Sequence, residues 1–246
     1  MKSLSLFLCS VTAQASILCS AHAQQTIPLF DGKTLDGWTT IDGKPVTRGW
    51  ETVDGAMHLL ENAGAGNIVT AKEYGDFDLR FEWKISEGGN SGIKYRVRRF
   101  DKRVLGCEYQ ILDDGGHPDG QTPKKSTGSL FDVCAPNADK RLEPAGEYNS
   151  SRIVVRGDHV QHWLNGDLIL AVRIGSPDWD AKKARSKFSK VPGFGENRNG
   201  KIMLTDHGDE VWYRNIKITV YTEPVAVEGV ALHAAQQEPR ERQSRP

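Results

Sequence analysis

The sequence predicts an antiparallel β-sandwich or jelly roll, and three observations carry that expectation. Phe77, Leu79, Phe81, Trp83 and Ile85 alternate strictly with Asp78, Arg80, Glu82 and Lys84, the period of a strand with one buried face. Asn165-Gly166 sits between two apolar runs, and that pair accepts the positive φ angles of a two-residue hairpin. Helix-like patterning is confined to a weak stretch, Asp178–Lys190, among many short strands and Gly-rich turns. No repeat of 20–50 residues is visible, which argues against propellers and solenoids.

The elements follow in order. The chain starts Met1-Lys2, runs through a mostly apolar stretch from Leu4 to Leu18, and reaches Ala21-His22-Ala23. A basic start, an apolar segment and an Ala-x-Ala site predict a secretory signal peptide over residues 1–23, cut after Ala23. The stretch is too short and too interrupted by polar residues for a membrane span. A lipoprotein site at Cys19 is the weaker reading, because Leu18 stands where a small residue is expected. Residues 24–222 then form one β domain. After it the composition turns to Glu, Gln, Arg, Ala and Pro, which predicts a disordered tail over residues 223–246. An exported protein, periplasmic or secreted, is the expected product.

Within the domain, Gly88-Gly-Asn-Ser-Gly92 turns the chain after the first long strand, and Ile93–Val97 alternates again. Gly106–Leu112 places Glu108 and Gln110 opposite Cys107, Tyr109 and Ile111. Arg152–Arg156 and Val160–Leu164 form a hairpin about Gly157-Asp158, and Asp167–Val172 follows Asn165-Gly166. Near the end, Ile202–Leu204 and Val211–Ile218 are two strands joined around Gly208. Asp206 and His207 fall where the first of them stops, with Arg214 on the second. Histidine titrates near neutrality, so this edge suits proton transfer; a plain polar turn is the competing reading.

Charge is balanced at 32 basic and 32 acidic side chains, and loss of Lys2 with the leader leaves one net negative charge. No basic field for nucleic acid exists. Two of the four cysteines leave with the leader, and whether Cys107 and Cys134 pair is open from sequence. The polar faces of the strands offer Glu82, Lys84, Arg96, Glu108 and Gln110 as candidates to line a groove; an ordinary solvated surface is the alternative.

Several segments in order carry a resemblance. Pro28-Leu-Phe-Asp-Gly-Lys-Thr-Leu-Asp-Gly-Trp38, Phe81-Glu-Trp-Lys84, Gly89-Asn-Ser-Gly-Ile93 with Tyr95-Arg96, and Glu108-Tyr-Gln-Ile111 open the series. Thr127–Asp132, Pro144–Asn149, His162–Gly166, Asp206-His-Gly208 and Arg214-Asn-Ile216 continue it. Together they resemble the 3-keto-disaccharide hydrolase domain family over nearly the whole mature chain. Thr205 stands where that family usually has Gln, and Tyr148 where Trp is common. The resemblance implies a concanavalin A-like jelly roll, often exported, that cleaves glycosides already oxidised to a ketone at C3.

Such a ketone acidifies the C2 proton, so cleavage needs a base, an acid and a group to stabilise the enolate. His207 or Glu108 is the candidate for proton transfer, with Asp206 orienting the imidazole or holding a metal. Glu82, Lys84, Asn90, Ser91, Arg96, Gln110 and Arg214 are the candidates for binding substrate. A Ca²⁺ or Mg²⁺ ion would suit oxygen ligands drawn from Glu82, Glu108 and Asp206. The loop Asp113-Asp-Gly-Gly-His-Pro-Asp119 reads as an ion loop or, more simply, as turns. The chain has no nucleotide-binding fingerprint for making the keto-sugar itself, and a sugar 3-dehydrogenase upstream is a candidate partner that the sequence leaves open.

Two other classes compete. A non-catalytic carbohydrate-binding module would use Trp38, Trp50, Trp163, Trp179 and Trp212 as platforms, Trp83 being in the core. A classical two-carboxylate glycosidase would pair Glu82 with Glu108. No Gly-x-Ser-x-Gly elbow supports a serine hydrolase.

Overall fold

The computed structural model describes residues 25–100 and 103–222; the expected leader and tail lie outside the described residues. Thirteen strands are present among them. β1 (Thr26–Pro28), β3 (Trp50–Val53), β4 (Ala56–Leu59), β6 (Phe77–Ile85), β9 (Asn149–Arg156), β10 (His159–Leu164), β11 (Asp167–Arg173) and β13 (Val211–Val220) form one sheet. Its order is β11-β10-β9-β6-β13-β4-β3, with β1 added on β13. β2 (Trp38–Thr40), β5 (Ile68–Thr70), β12 (Lys201–Leu204), β7 (Asn90–Phe100) and β8 (Arg103–Leu112) form the other, in the order β2-β5-β12-β7-β8. The strand pairs are antiparallel, and the two sheets pack as a jelly-roll sandwich.

β6 occupies the nine residues its alternation predicts, and Phe77, Leu79, Phe81, Trp83 and Ile85 are buried. The hairpin between β10 and β11 has Asn165 at φ 48° and Gly166 at φ 86°, the left-handed pair that a turn matching strand twist requires. Polar rungs tie the sheets together. Ser151 Oγ accepts from Trp83 Nε1 at 2.9 Å and meets Tyr109 Oη at 2.8 Å. His162 is wholly buried, and desolvation lowers its pKa to about 4, so the ring is neutral. Its Nδ1 lies 2.9 Å from Gly128 O, and a carbonyl only accepts. Nδ1 therefore carries the proton, and Nε2 accepts from Tyr95 Oη at 3.0 Å.

One expectation changes here, and one open question is answered. The one α-helix among the described residues, α1 (Pro177–Ala184), is shorter than the stretch Asp178–Lys190. Ser176 caps its start, with Trp179 N donating to Ser176 Oγ at 3.2 Å. Beyond Ala184 side-chain acceptors take the backbone: Lys187 N donates to Asp132 Oδ2 at 2.6 Å and Phe188 N to Ser186 Oγ at 3.0 Å. Those bonds lead the chain out of the helix. Cys107 and Cys134 are separate buried thiols. Burial pushes them up to about 12 and about 11, so they pack as small apolar groups.

Candidate active site

β7 and β8 present their outer faces side by side. Ser91, Ile93 and Tyr95 point into the sandwich, so Asn90, Gly92 and Lys94 point out. The register sets Lys94 opposite Glu108, Gly92 opposite Gln110 and Asn90 opposite Leu112. Gln110 Nε2 donates to Asn90 Oδ1 at 3.0 Å, which fixes both amides on the floor.

Glu108 is the unusual group. It is 6% exposed, and its Oε2 lies 3.6 Å from Lys94 Nζ. Its Oε1 is buried and has no hydrogen-bond partner. A carboxylate oxygen in that condition is costly unless something else satisfies it, because desolvation of an ion is not repaid by one cation alone. A Cβ on Gly92 would stand 2.7 Å from that same oxygen, so only glycine leaves room for the carboxylate over the sheet.

His207 is delivered by the turn after β12, and that turn is fastened at both ends. Asp206 Oδ2 accepts from Gly66 N at 2.7 Å and its Oδ1 from Gly208 N at 2.9 Å. Asp209 Oδ2 accepts from Asn90 N at 2.9 Å, which ties the turn to the start of β7. Gly208 takes φ 97°, a conformation that suits glycine. The His207 ring is open to water on one side and crowded on the other. Desolvation lowers its pKa below the ordinary 6.5, and the charge of Glu108 opposes that shift. The charge of Lys94 reinforces it, so the imidazole feels both charges of the Glu108–Lys94 pair.

One rim comes from segments that approach β8. Phe131 N donates to Glu108 O at 3.0 Å, so residues 128–134 continue the sheet edge. Asp132 accepts Lys187 N and lies 2.9 Å from Lys124 Nζ, which seats Lys187 and Phe188 against the site. A cavity of about 230 Å³ results, lined by Lys94, Arg103, Leu105, Gly106, Glu108, Lys187 and Phe188.

The structure divides the remaining sequence candidates. Glu82, Lys84 and Arg214 stand on the outer face of the other sheet, with the whole core between them and Glu108. Two sheets pack about 10 Å apart, so outward side chains on opposite sheets lie farther apart still. That separation exceeds the ~5–9.5 Å between carboxyls in known glycosidase pairs, and Glu82 with Glu108 cannot form one. It also dissolves the ligand set Glu82, Glu108 and Asp206. Both Asp206 oxygens already accept backbone N–H groups, and no metal-ready group of three His, Cys, Asp or Glu exists among the described residues. The Asp113–Asp119 loop is likewise self-satisfied: Gly88 N and Gly115 N donate to Asp113, and Lys140 lies 2.8 Å from Asp114.

Ser91 faces the core, where its hydroxyl meets Thr205 O and Tyr213 Oη, each at 2.8 Å. Arg96 is 4% exposed and works as a clamp, donating to Gly75 O, Gly157 O and Asp76 Oδ1 at 3.0, 2.8 and 2.7 Å. Neither reaches the groove. Trp38, Trp50 and Trp179 are buried, which leaves Trp163 and Trp212 of the proposed platforms at the surface.

Two wider depressions, of about 600 and 380 Å³, flank Lys84 and Arg214 on the opposite face. Size does not favour them, because the candidates they hold, Glu82, Lys84 and Arg214, are engaged with neighbours. Glu82 accepts from Arg214 Nε at 2.7 Å and Asn215 Nδ2 at 2.9 Å. Arg214 lies 3.6 Å from the Tyr148 ring centre, Lys84 4.1 Å from that of Trp212, and His58 stacks on Trp212 at 4.5 Å. Among the described residues, Glu108 alone has a buried carboxylate oxygen without a partner.

Sequence reading missed Lys94, Phe131, Asp132, Lys187 and Phe188. Lys94 was accessible in principle, since it shares a face with Glu108 once the two strands are paired. Nothing in the local pattern marks Lys187.

Comparison with known proteins agrees with this fold. Residues 25–219 match the family described as the 3-keto-alpha-glucoside-1,2-lyase-like domain. A 3-keto-disaccharide hydrolase of Bacteroides thetaiotaomicron is 32% identical over 237 residues, covering 83% of this chain and 81% of its own. A crystal structure of a Parabacteroides distasonis protein provisionally described as a glycosyl hydrolase superposes with a TM-score of 0.72 at 33% identity. It covers 80% of this chain and 94% of its own. A second from that organism, described in the same way, gives 0.62 at 25% identity, over 80% and 100%. Fold, groove and relatives define the class, a hydrolase acting on glycosidic bonds. Within it, the chain belongs to the 3-keto-alpha-glucoside-1,2-lyase-like family.

Proposed function

We propose that the protein cleaves 3-keto-glycosides, 3-keto-disaccharides among them, by removal of the C2 proton, elimination of the aglycone and hydration of the resulting enone. The observation that carries this reading is Glu108: a buried carboxylate with one oxygen unpartnered and an ammonium 3.6 Å from the other. That is the condition of a base awaiting an acidic C–H. Glu108 takes the C2 proton, and the bonding pair becomes the enolate. As the enolate collapses to the enone the C1–O bond breaks, and the departing oxygen takes the proton back from Glu108. Water then adds at C1: His207 accepts its proton and returns it to C2. The net change is glycoside plus water giving keto-sugar plus alcohol. Lys94 places an ammonium 3.6 Å from Glu108 Oε2, and Asn90 and Gln110 offer polar atoms to hydroxyls.

The test is release of aglycone from a 3-keto-glucoside and from the parent glucoside, each with and without a chelator. Turnover of the keto-sugar alone is expected, whereas equal turnover of both would return the protein to ordinary glycosidase chemistry. Loss of activity in chelator, restored by Ca²⁺ or Mg²⁺, would add a divalent cation to the side chains named here.

The pKa of His207 gives a second expectation. An imidazole must be neutral to accept a proton, and desolvation holds this ring below 6.5. The acid limb of kcat for keto-sugar formation therefore falls below pH 6.5, with activity rising as pH rises through it. His207→Asn should abolish that limb and lower turnover about 100-fold. An unchanged profile would remove His207 from the reaction.

Export belongs to the same proposal, supported by the basic start, apolar stretch and Ala-x-Ala site. N-terminal sequencing of protein recovered outside the cytoplasm should begin at Gln24; an intact Met1 would contradict it. The keto-substrate must come from oxidation of a sugar C3 hydroxyl by another enzyme.

A further inference from the structure

Two ammonium groups line the Glu108 cavity, and they are not equivalent. Lys94 Nζ is engaged with Glu108 Oε2 at 3.6 Å. Lys187 Nζ makes no hydrogen bond or ion pair among the described residues and rests instead against rings, 4.0 Å from the centre of Phe131 and 5.1 Å from that of Phe188. An aromatic face supports a cation without using its N–H donors in directed bonds. Those donors stay available to a ligand. The residue's backbone is fixed by Asp132, which accepts Lys187 N at 2.6 Å, so the ammonium stands on a rigid mount. Burial lowers its pKa below the ordinary 10.5, with the Glu108 charge opposing that shift, as suits a cation partly removed from water.

We propose that Lys187 is the catalytic residue that receives the developing negative charge on the C3 oxygen, and so the group that makes the enzyme selective for a ketone there. C2 and C3 are adjacent, so a sugar offering its C2 proton to Glu108 turns its C3 oxygen towards another wall of the same cavity, where Lys187 stands. When the C2–H bond breaks, its pair forms the C2=C3 bond and the carbonyl π pair moves to oxygen. Lys187 then hydrogen-bonds an enolate where it faced only a carbonyl, and a stronger bond in the transition state than in the ground state is what accelerates a step. A C3 hydroxyl develops no such charge and gains nothing from it. This inference rests on the keto-glycoside reading above.

The experiment follows exchange of the C2 proton with deuterium oxide by proton NMR, using the 3-keto derivative of 1,5-anhydroglucitol, which has no leaving group at C1. Enolisation is thereby separated from cleavage. The wild-type protein should exchange the proton above the enzyme-free rate, Lys187→Met should slow it about 100-fold, and Lys187→Arg should recover at least about a tenth of the wild-type rate, since charge is restored. Thermal melts identical within error for all three would show that the fold is intact. Wild-type exchange matched by Lys187→Met would overturn the role of Lys187 while leaving the keto-glycoside reading in place. An arginine variant no faster than the methionine variant would overturn the electrostatic role. Absence of exchange in the wild type would sink the keto-glycoside reading itself, and this inference with it.

Discussion

Glu108→Gln should lower turnover of a 3-keto-glucoside about 1,000-fold while leaving the protein folded. The substitution is nearly isosteric, so the cavity keeps its shape and Gly92 still clears the side chain. What disappears is the carboxylate assigned to take the C2 proton, and placed general bases contribute roughly 10²- to 10⁴-fold. KM should change little, since Asn90, Gln110 and the rim are untouched. Stability should hold or rise slightly, because a buried carboxylate with one unpartnered oxygen is a cost to the folded state. Steady-state kinetics and a thermal melt check both halves. Turnover within a few-fold of wild type would mean that the base lies elsewhere.

Arg96→Met should act in the opposite sense, damaging the fold rather than the chemistry. Arg96 occupies a β-bulge in β7, at φ 50°, where the pairing with β8 shifts between Tyr95 and Arg98. Its guanidinium joins the loop before β6, through Gly75 O and Asp76, to the β9–β10 turn, through Gly157 O. Methionine fills the volume but leaves the Asp76 carboxylate with the Gly157 N–H, at 2.9 Å, and without its cation. Removing one partner of a buried ion pair costs on the order of 3–5 kcal/mol. For a domain of this size that lowers Tm on the order of 10 °C. The protein that remains folded below that temperature should turn over normally. A melt unchanged by the substitution, or a specific loss of kcat in folded protein, would contradict the clamp.

The contrast between these two residues shows what the sequence could convey. Period-two alternation states which residues share a face of their own strand, and for β6 and β8 it did so correctly, with Glu82 and Glu108 each opposite a buried row. It does not state which sheet a strand joins. β6 lies centrally in the larger sheet and β8 at the edge of the smaller, so two equally outward carboxylates end on opposite sides of the core. Strand order depends on long-range pairing, which local patterning does not encode. Ser91 and Arg96 misled for another reason. Ser91 follows the alternation of Ile93 and Tyr95 into the core, and the bulge at Arg96 breaks the alternation at that residue. Asp206-His207-Gly208 was legible as a turn at a sheet edge, while the fastening of that turn to Gly66 and Asn90 was not, because both partners lie more than a hundred residues away. Lys187 reaches the groove only through Asp132, which no pattern near position 187 reveals.

Elimination and hydration differ from direct hydrolysis in one isotopic respect: the C2 hydrogen of the product has passed through exchangeable positions. Cleavage of a 3-keto-glucoside in deuterium oxide, stopped early and corrected for enzyme-free exchange, measures this by mass spectrometry and proton NMR of the released keto-sugar. Deuterium at C2 in nearly every product molecule is the predicted result. Product that keeps its original C2 hydrogen would show that the glycosidic bond breaks without deprotonation at C2, and would contradict the chemistry assigned to Glu108 and His207.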